Sequence, residues 1–154
     1  MKRTVFLGII VLSLVAISLA FAADAKRVAI ISKLQGSAEV KTASKVWSPA
    51  KEGMILNQND TIRTKKGSTA ILNLDGNAQT ATVEVKENTE LMLAEMIANK
   101  EMGKQKTLLD LSLGNILIKA KKLHSEKSSF EVKTPTSVVA VRGTTFAVSV
   151  EAVE

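Results

Sequence analysis

His124 is the only imidazole in the chain, and it lies in Lys121-Lys122-Leu123-His124-Ser125-Glu126-Lys127-Ser128. A serine hydrolase needs a hydroxyl bonded to such a base, and a third group to orient the base. Neither Ser125 nor Ser128 sits in a Gly-x-Ser-x-Gly elbow, and the segment reads as a charged connector between strands. Glu84 and Glu87 cannot be set across a cleft from sequence, so paired-carboxylate chemistry has no support. The chain has no cysteine, which excludes disulfides, thiolate nucleophiles and Cys-containing zinc sites. Asn57, Asn59 and Asp60 form a polar run but lack the carboxylates of a calcium loop. The residues therefore point to a protein that is not an enzyme, with no catalytic group, no cofactor and no metal.

Net positive charge is a further candidate binding feature. Lys+Arg number 21 against 15 Asp+Glu, giving +6 and a pI near 9.6. A nucleic-acid reading needs aromatic platforms for bases, and past the first 22 residues only Trp47, Phe130 and Phe146 are aromatic. Lys119, Lys121, Lys122 and Lys127 read as a solvated strand face, one that can meet an anionic surface. Arg142, followed by Gly143 and Thr144, is either a contact residue or a staple bonded to loop carbonyls or to Asp60.

Residues 1–22 read as a signal peptide. Lys2 and Arg3 precede an apolar run over 5–21, and Ala20-Phe21-Ala22 places small residues at a cleavage site. The competing membrane anchor would need about 20 apolar residues. Cleavage predicts a periplasmic, soluble chain of residues 23–154. Removing 22 residues from 154 leaves 132, and the formal charge falls from +6 to +4 as Lys2 and Arg3 depart. That length can carry a core without disulfides.

The positioning elements read as strands. Apolar residues alternate at Ala38/Val40, Ala70/Leu72/Leu74, Val83/Val85, Leu91/Leu93, Leu109/Leu111/Leu113, Ile116/Ile118/Ala120, Phe130/Val132, Val139/Val141 and Phe146/Val148/Val150. Lys65-Lys66-Gly67, Asp75-Gly76-Asn77 and Gly114-Asn115 carry hairpin-turn residues. Residues 94–106 lack a clear period and read as a loop or one short helix. Trp47, beside Pro49, is expected to be buried at one end of the core, and Asp60 to hold an Asx-type turn. Gly143 suggests a bulge or a close backbone approach. The fold class is all-β: an antiparallel two-sheet sandwich with jelly-roll character, or alternatively a β-roll or solenoid-like stack, behind an N-terminal signal helix.

Three stretches carry a resemblance: Gly36-Ser-Ala38-Glu-Val40; Gly53-x-x-Leu56-x-x-x-Asp60-x-Ile62-Arg63-Thr64, preceded by Trp47; and Thr134-Pro135 through Arg142-Gly143-Thr144-x-Phe146. Together they resemble the FecR domain over roughly 28–150. Full-length FecR sensors join a cytoplasmic sigma-factor-binding region, a membrane helix and this periplasmic domain. Only Met1 to Thr4 precede the hydrophobic segment here, so the resemblance is expected to extend to fold and compartment, not to iron signalling. It implies a binding or scaffold module that works by contact with an envelope protein. A binder of cell-wall glycan is the alternative, and it requires an exposed Trp47.

Overall fold

The computed structural model describes residues 25–76, 80–99, 102–122 and 125–151. The expected signal peptide, with its helix, and His124 lie outside them. The described residues form thirteen strands and no helix: β1 Ala25–Lys26, β2 Ala29–Gln35, β3 Ala38–Lys41, β4 Trp47–Pro49, β5 Ile55–Leu56, β6 Thr61–Thr64, β7 Thr69–Leu74, β8 Ala81–Val85, β9 Glu90–Asn99, β10 Lys104–Ala120, β11 Ser129–Lys133, β12 Val138–Val141 and β13 Thr145–Val150.

All belong to one curled sheet that forms a half-barrel, with the order β4-β3-β6-β9-β10-β8-β7-β2-β5. The expectation of two separate sheets gives way to a single sheet, because β10 belongs to both limbs. Its first half pairs with β9, and its second half pairs with β8 on one side and β13 on the other. The pairings are antiparallel except for β10 with β11, which runs parallel over Lys106–Asp110.

That parallel pair requires β10 to bend. Nine residue steps from Ala120 to Ser129 reach at most roughly 32 Å. A straight strand from Lys106 to Ala120 would span about 46 Å. The bend is at Gly114, whose φ is +95°. The register with β9 slips between Leu111 and Leu113, so the buried positions change from Thr107, Leu109 and Leu111 to Gly114, Ile116 and Ile118. An extra residue re-aims a strand in this way. Leu113, expected inside, is 38% exposed, and Gly114-Asn115 is the corner of a long strand rather than a hairpin turn.

The other turns divide between two uses. Asp75 (φ +61°) and Gly76 (φ +72°) open the β7–β8 hairpin as expected. Lys65-Lys66-Gly67 also turns, with Ser68 N donating to Lys65 O at 3.2 Å, but it carries the chain from one limb to the other. Residues 94–106 hold no helix where described: they are the end of β9, the turn at Met102-Gly103 and the start of β10. A slip between Leu108 and Leu109 opposite Glu95 and Leu93 breaks the alternation there, and the outer pair Glu95–Lys106, 2.5 Å apart, hides a strand whose Met96 is fully buried.

Alternating residues from both limbs fill one core, among them Ile31, Leu56, Leu72, Leu74, Leu91, Leu109, Ile116 and Phe130. Each such side chain contributes about 1.5–3 kcal/mol when removed from water. At one end Arg27 ties the limbs together. Its guanidinium donates to both carboxylate oxygens of Asp75 (2.6 and 2.7 Å), to Thr80 Oγ1 (3.0 Å) and to Thr107 Oγ1 (2.9 Å).

Candidate functional site

The side chains with chemical potential are mostly engaged in structure. Ser128 Oγ accepts from Gln105 N at 3.0 Å and Ser125 Oγ from Lys127 N at 3.2 Å. Glu84 pairs with Lys86, and a Glu87 carboxylate oxygen accepts from Gly67 N. Asp60 is buried and accepts from Asn57 N at 2.8 Å. It holds the turn before β6, with Asn59 at φ +70°. Among the described residues no cluster of three or more His, Cys, Asp or Glu could hold a metal ion.

Trp47 departs from the expected buried position. It is half-buried and lies opposite Lys41 on the β3–β4 ladder. The Arg63 guanidinium lies 3.9 Å from its ring centroid and the Lys41 ammonium 4.8 Å. Cations on neighbouring strands are attracted by the ring quadrupole, which holds the aromatic on the outer surface instead of in the core. Glu39 anchors the cluster, accepting from Arg63 Nε at 2.6 Å and pairing with Lys65 Nζ at 2.7 Å.

The Lys65 ammonium, and after it the Arg63 guanidinium, hold the Glu39 carboxyl below its ordinary value of 4.5. A carboxyl lowered on folding adds stability that is present above 4.5 and lost as pH falls through the folded value. Acidification is therefore expected to release Arg63 and change the emission of the single tryptophan, with a midpoint below 4.5. Fluorescence titration checks this beside circular dichroism, which must still show sheet at the midpoint. Glu39→Gln should abolish the step, and a step that persists would assign the transition to another group.

The second assembly is the open side of the curl. β12 pairs only with β11, and β13 only with β10, so each keeps a free edge among the described residues. They are consecutive strands joined by Arg142-Gly143-Thr144, and they diverge from that bend onto different limbs. Gly143 has φ +61°, and a Cβ there would lie 2.7 Å from Lys122 Cα, so the expected close approach is present. Thr144 O accepts from Ala120 N at 3.2 Å. Arg142 does not act as the expected staple. It is exposed, forms no hydrogen bond or ion pair among the described residues, and does not meet Asp60, whose carboxylate serves the Asn57 turn. Lys119, Lys121 and Lys122 are exposed beside the bend and make its end cationic.

Between the diverging strands lies a groove of about 590 Å³, lined by Ser112, Leu113, Thr134–Ser137, Val139 and Ala147–Glu151. Val139, Phe146, Val148 and Val150 alternate toward the core but are left partly uncovered. Val138 is 60% exposed and Val139 37%. Sequence singled out Phe146 but missed Leu113 and Val138. The alternation of Leu109 and Leu111, carried one step past the slip, hid the first, and nothing in sequence reveals which strand edges stay free.

The described residues thus form a curled all-β domain whose open side, between β12 and β13, is partly apolar. Its family is specific: the FecR protein model matches residues 60–154, more than half of the chain, and the chain belongs to the FecR family. The matched span begins at Asp60 and includes Arg142-Gly143-Thr144 and β13, while Trp47 lies ahead of it. Comparison with curated proteins and with solved structures returns no match.

Proposed function

We propose that this is an exported, non-enzymatic FecR-like module of the cell envelope that acts by protein–protein contact, receiving an extended segment of its partner along β12 and β13. The open groove between two free strand edges carries this reading. Free edges offer backbone donors and acceptors to an incoming strand, while alternate side-chain positions supply selectivity. The cationic bend at Arg142 favours a partner with acidic residues at that end. The Trp47 ring already holds Arg63 and Lys41 close by, which leaves less of it for stacking on a sugar and weighs against the glycan alternative.

A photo-crosslinking residue at Ala147, on the exposed side of β13, should give a discrete adduct in the native envelope. The same residue at Lys33 should give none. Arg142→Ala should melt within about 0.5 kcal/mol of the wild type, as an exposed unpaired side chain does, yet reduce the adduct. A large loss of stability would restore the staple role, and equal adducts from both positions would remove β13 as the contact.

Export rests on the Lys2-Arg3 and Ala20-Phe21-Ala22 signals. The protein recovered from the envelope is expected to have the intact mass of a chain beginning at Ala23. Recovery of the Met1 form in the membrane fraction would make the segment an anchor.

A further inference from the structure

We infer that the partner of the β13 edge is β13 of a second copy, paired antiparallel across a twofold axis. This inference rests on the reading of that edge as a docking strip, and it names the occupant. Thr145-Phe146-Ala147-Val148-Ser149-Val150 contains no Lys, Arg, Asp, Glu or Pro. Proteins that keep an edge strand single usually blunt it with charge, proline or a bulge, and the β10–β13 register runs without a slip from Gly114 to Lys119. The edge has no such device.

The row is also self-complementary. In an antiparallel pair, directly opposite residues share a face, so a twofold near Ala147 or Val148 sets Phe146, Val148 and Val150 of one copy beside the same set of the other. These residues already pack on the core while remaining partly uncovered, and the second copy would extend their cover. Thr145, Ala147 and Ser149 face outward and are small enough for close approach.

Charge selects the direction. Arg142 and Lys122 flank the start of β13, and Glu151 follows its end, all three exposed. Antiparallel pairing brings the basic end of each copy to the acidic end of the other, whereas parallel pairing sets like charges together. A twofold arrangement closes on itself. It joins the limbs containing β5, β2, β7, β8, β10 and β13 into one sheet continuous across both copies.

The test uses the protein purified from the envelope as the cell processes it. Light scattering should give twice the chain mass, and Ala147→Lys/Ser149→Lys should give the single-chain mass with an unchanged sheet spectrum by circular dichroism, its urea melt no longer depending on concentration. Arg142→Glu and Glu151→Arg should each weaken the dimer about tenfold, and the two together should restore it. The natural chain has no cysteine, so Ala147→Cys and Ser149→Cys, oxidised singly and mixed, report the pairing cleanly. At least one combination should crosslink, because opposite strand positions fall within disulfide range, whereas Lys33→Cys should not. A wild type that stays single at its highest soluble concentration overturns the inference. So does a dimer indifferent to the β13 variants. In either case an Ala147 adduct of foreign mass in the envelope would leave the docking reading standing. A dimer whose only envelope adduct is with itself would uphold the inference and end the reading of a separate protein partner.

Discussion

Asp75→Asn is expected to destabilise the domain by about 3 kcal/mol, within the range for breaking a buried ion pair on one side. The Arg27 side chain is 6% exposed and that of Asp75 18%, so neither is screened as a surface pair would be. Arg27 bridges the β7–β8 connection, through Asp75 and Thr80, to β10, through Thr107. Removing the carboxylate charge leaves a guanidinium inside with its strongest acceptor gone. Asn is the suitable replacement because Asp75 has φ +61°, and Asn tolerates that region whereas Ala adds strain. Arg27→Met/Asp75→Leu should lose less than Asp75→Asn alone, since an apolar pair leaves no orphaned charge. Urea melts with unchanged slope give the values. A loss below about 1 kcal/mol for Asp75→Asn would place the pair among ordinary surface bridges and leave the junction of the limbs to apolar packing.

That junction also marks where the sequence stops being readable. Strands whose alternation runs unbroken are legible, because one face is buried: Ala70, Leu72 and Leu74, or Phe130 and Val132. Legibility ends where a slip changes which face is inside. Leu113 reads as core only if the alternation of Leu109 and Leu111 continues one step further, and β9 reads as a loop because its register slips opposite Glu95 and Leu93. Partners distant in sequence are equally hidden: Asp75 and Thr107 lie 48 and 80 positions from Arg27, and no local pattern connects them. Trp47 misleads for another reason. Aromatic burial is the ordinary expectation, but Arg63 and Lys41, brought alongside by β6 and β3, offer the ring favourable company on the outer face. Arg142-Gly143-Thr144 is visible in the sequence as a motif. Its place between two free edges depends on β12 pairing with β11 and β13 with β10, which tertiary packing decides.

Gly114→Ala is expected to cost on the order of 3–5 kcal/mol, combining backbone strain with overpacking. At φ +95° an added Cβ would lie 2.5 Å from Thr89 Cα and 2.7 Å from Asn88 O, in contact also with Thr89 Oγ1. Two of these belong to the backbone, so no side-chain rotation relieves the overlap. The same place joins β10 to the turn before β9: Asn115 N donates to Thr89 Oγ1 at 2.9 Å, and Thr89 Oγ1 donates to Asn115 O at 3.2 Å. Displacing Thr89 therefore strains the corner that lets β10 serve both limbs. Gly53 provides the comparison, because it has φ +80° with nothing within 4 Å of an added Cβ. Gly53→Ala should lose only about 1–2 kcal/mol, the strain of a left-handed alanine. The difference between the two melts measures the close approach itself. Similar losses at both positions would mean that the corner yields to a methyl group, and that the bend of β10 has its origin in the paired strands on either side rather than in the glycine.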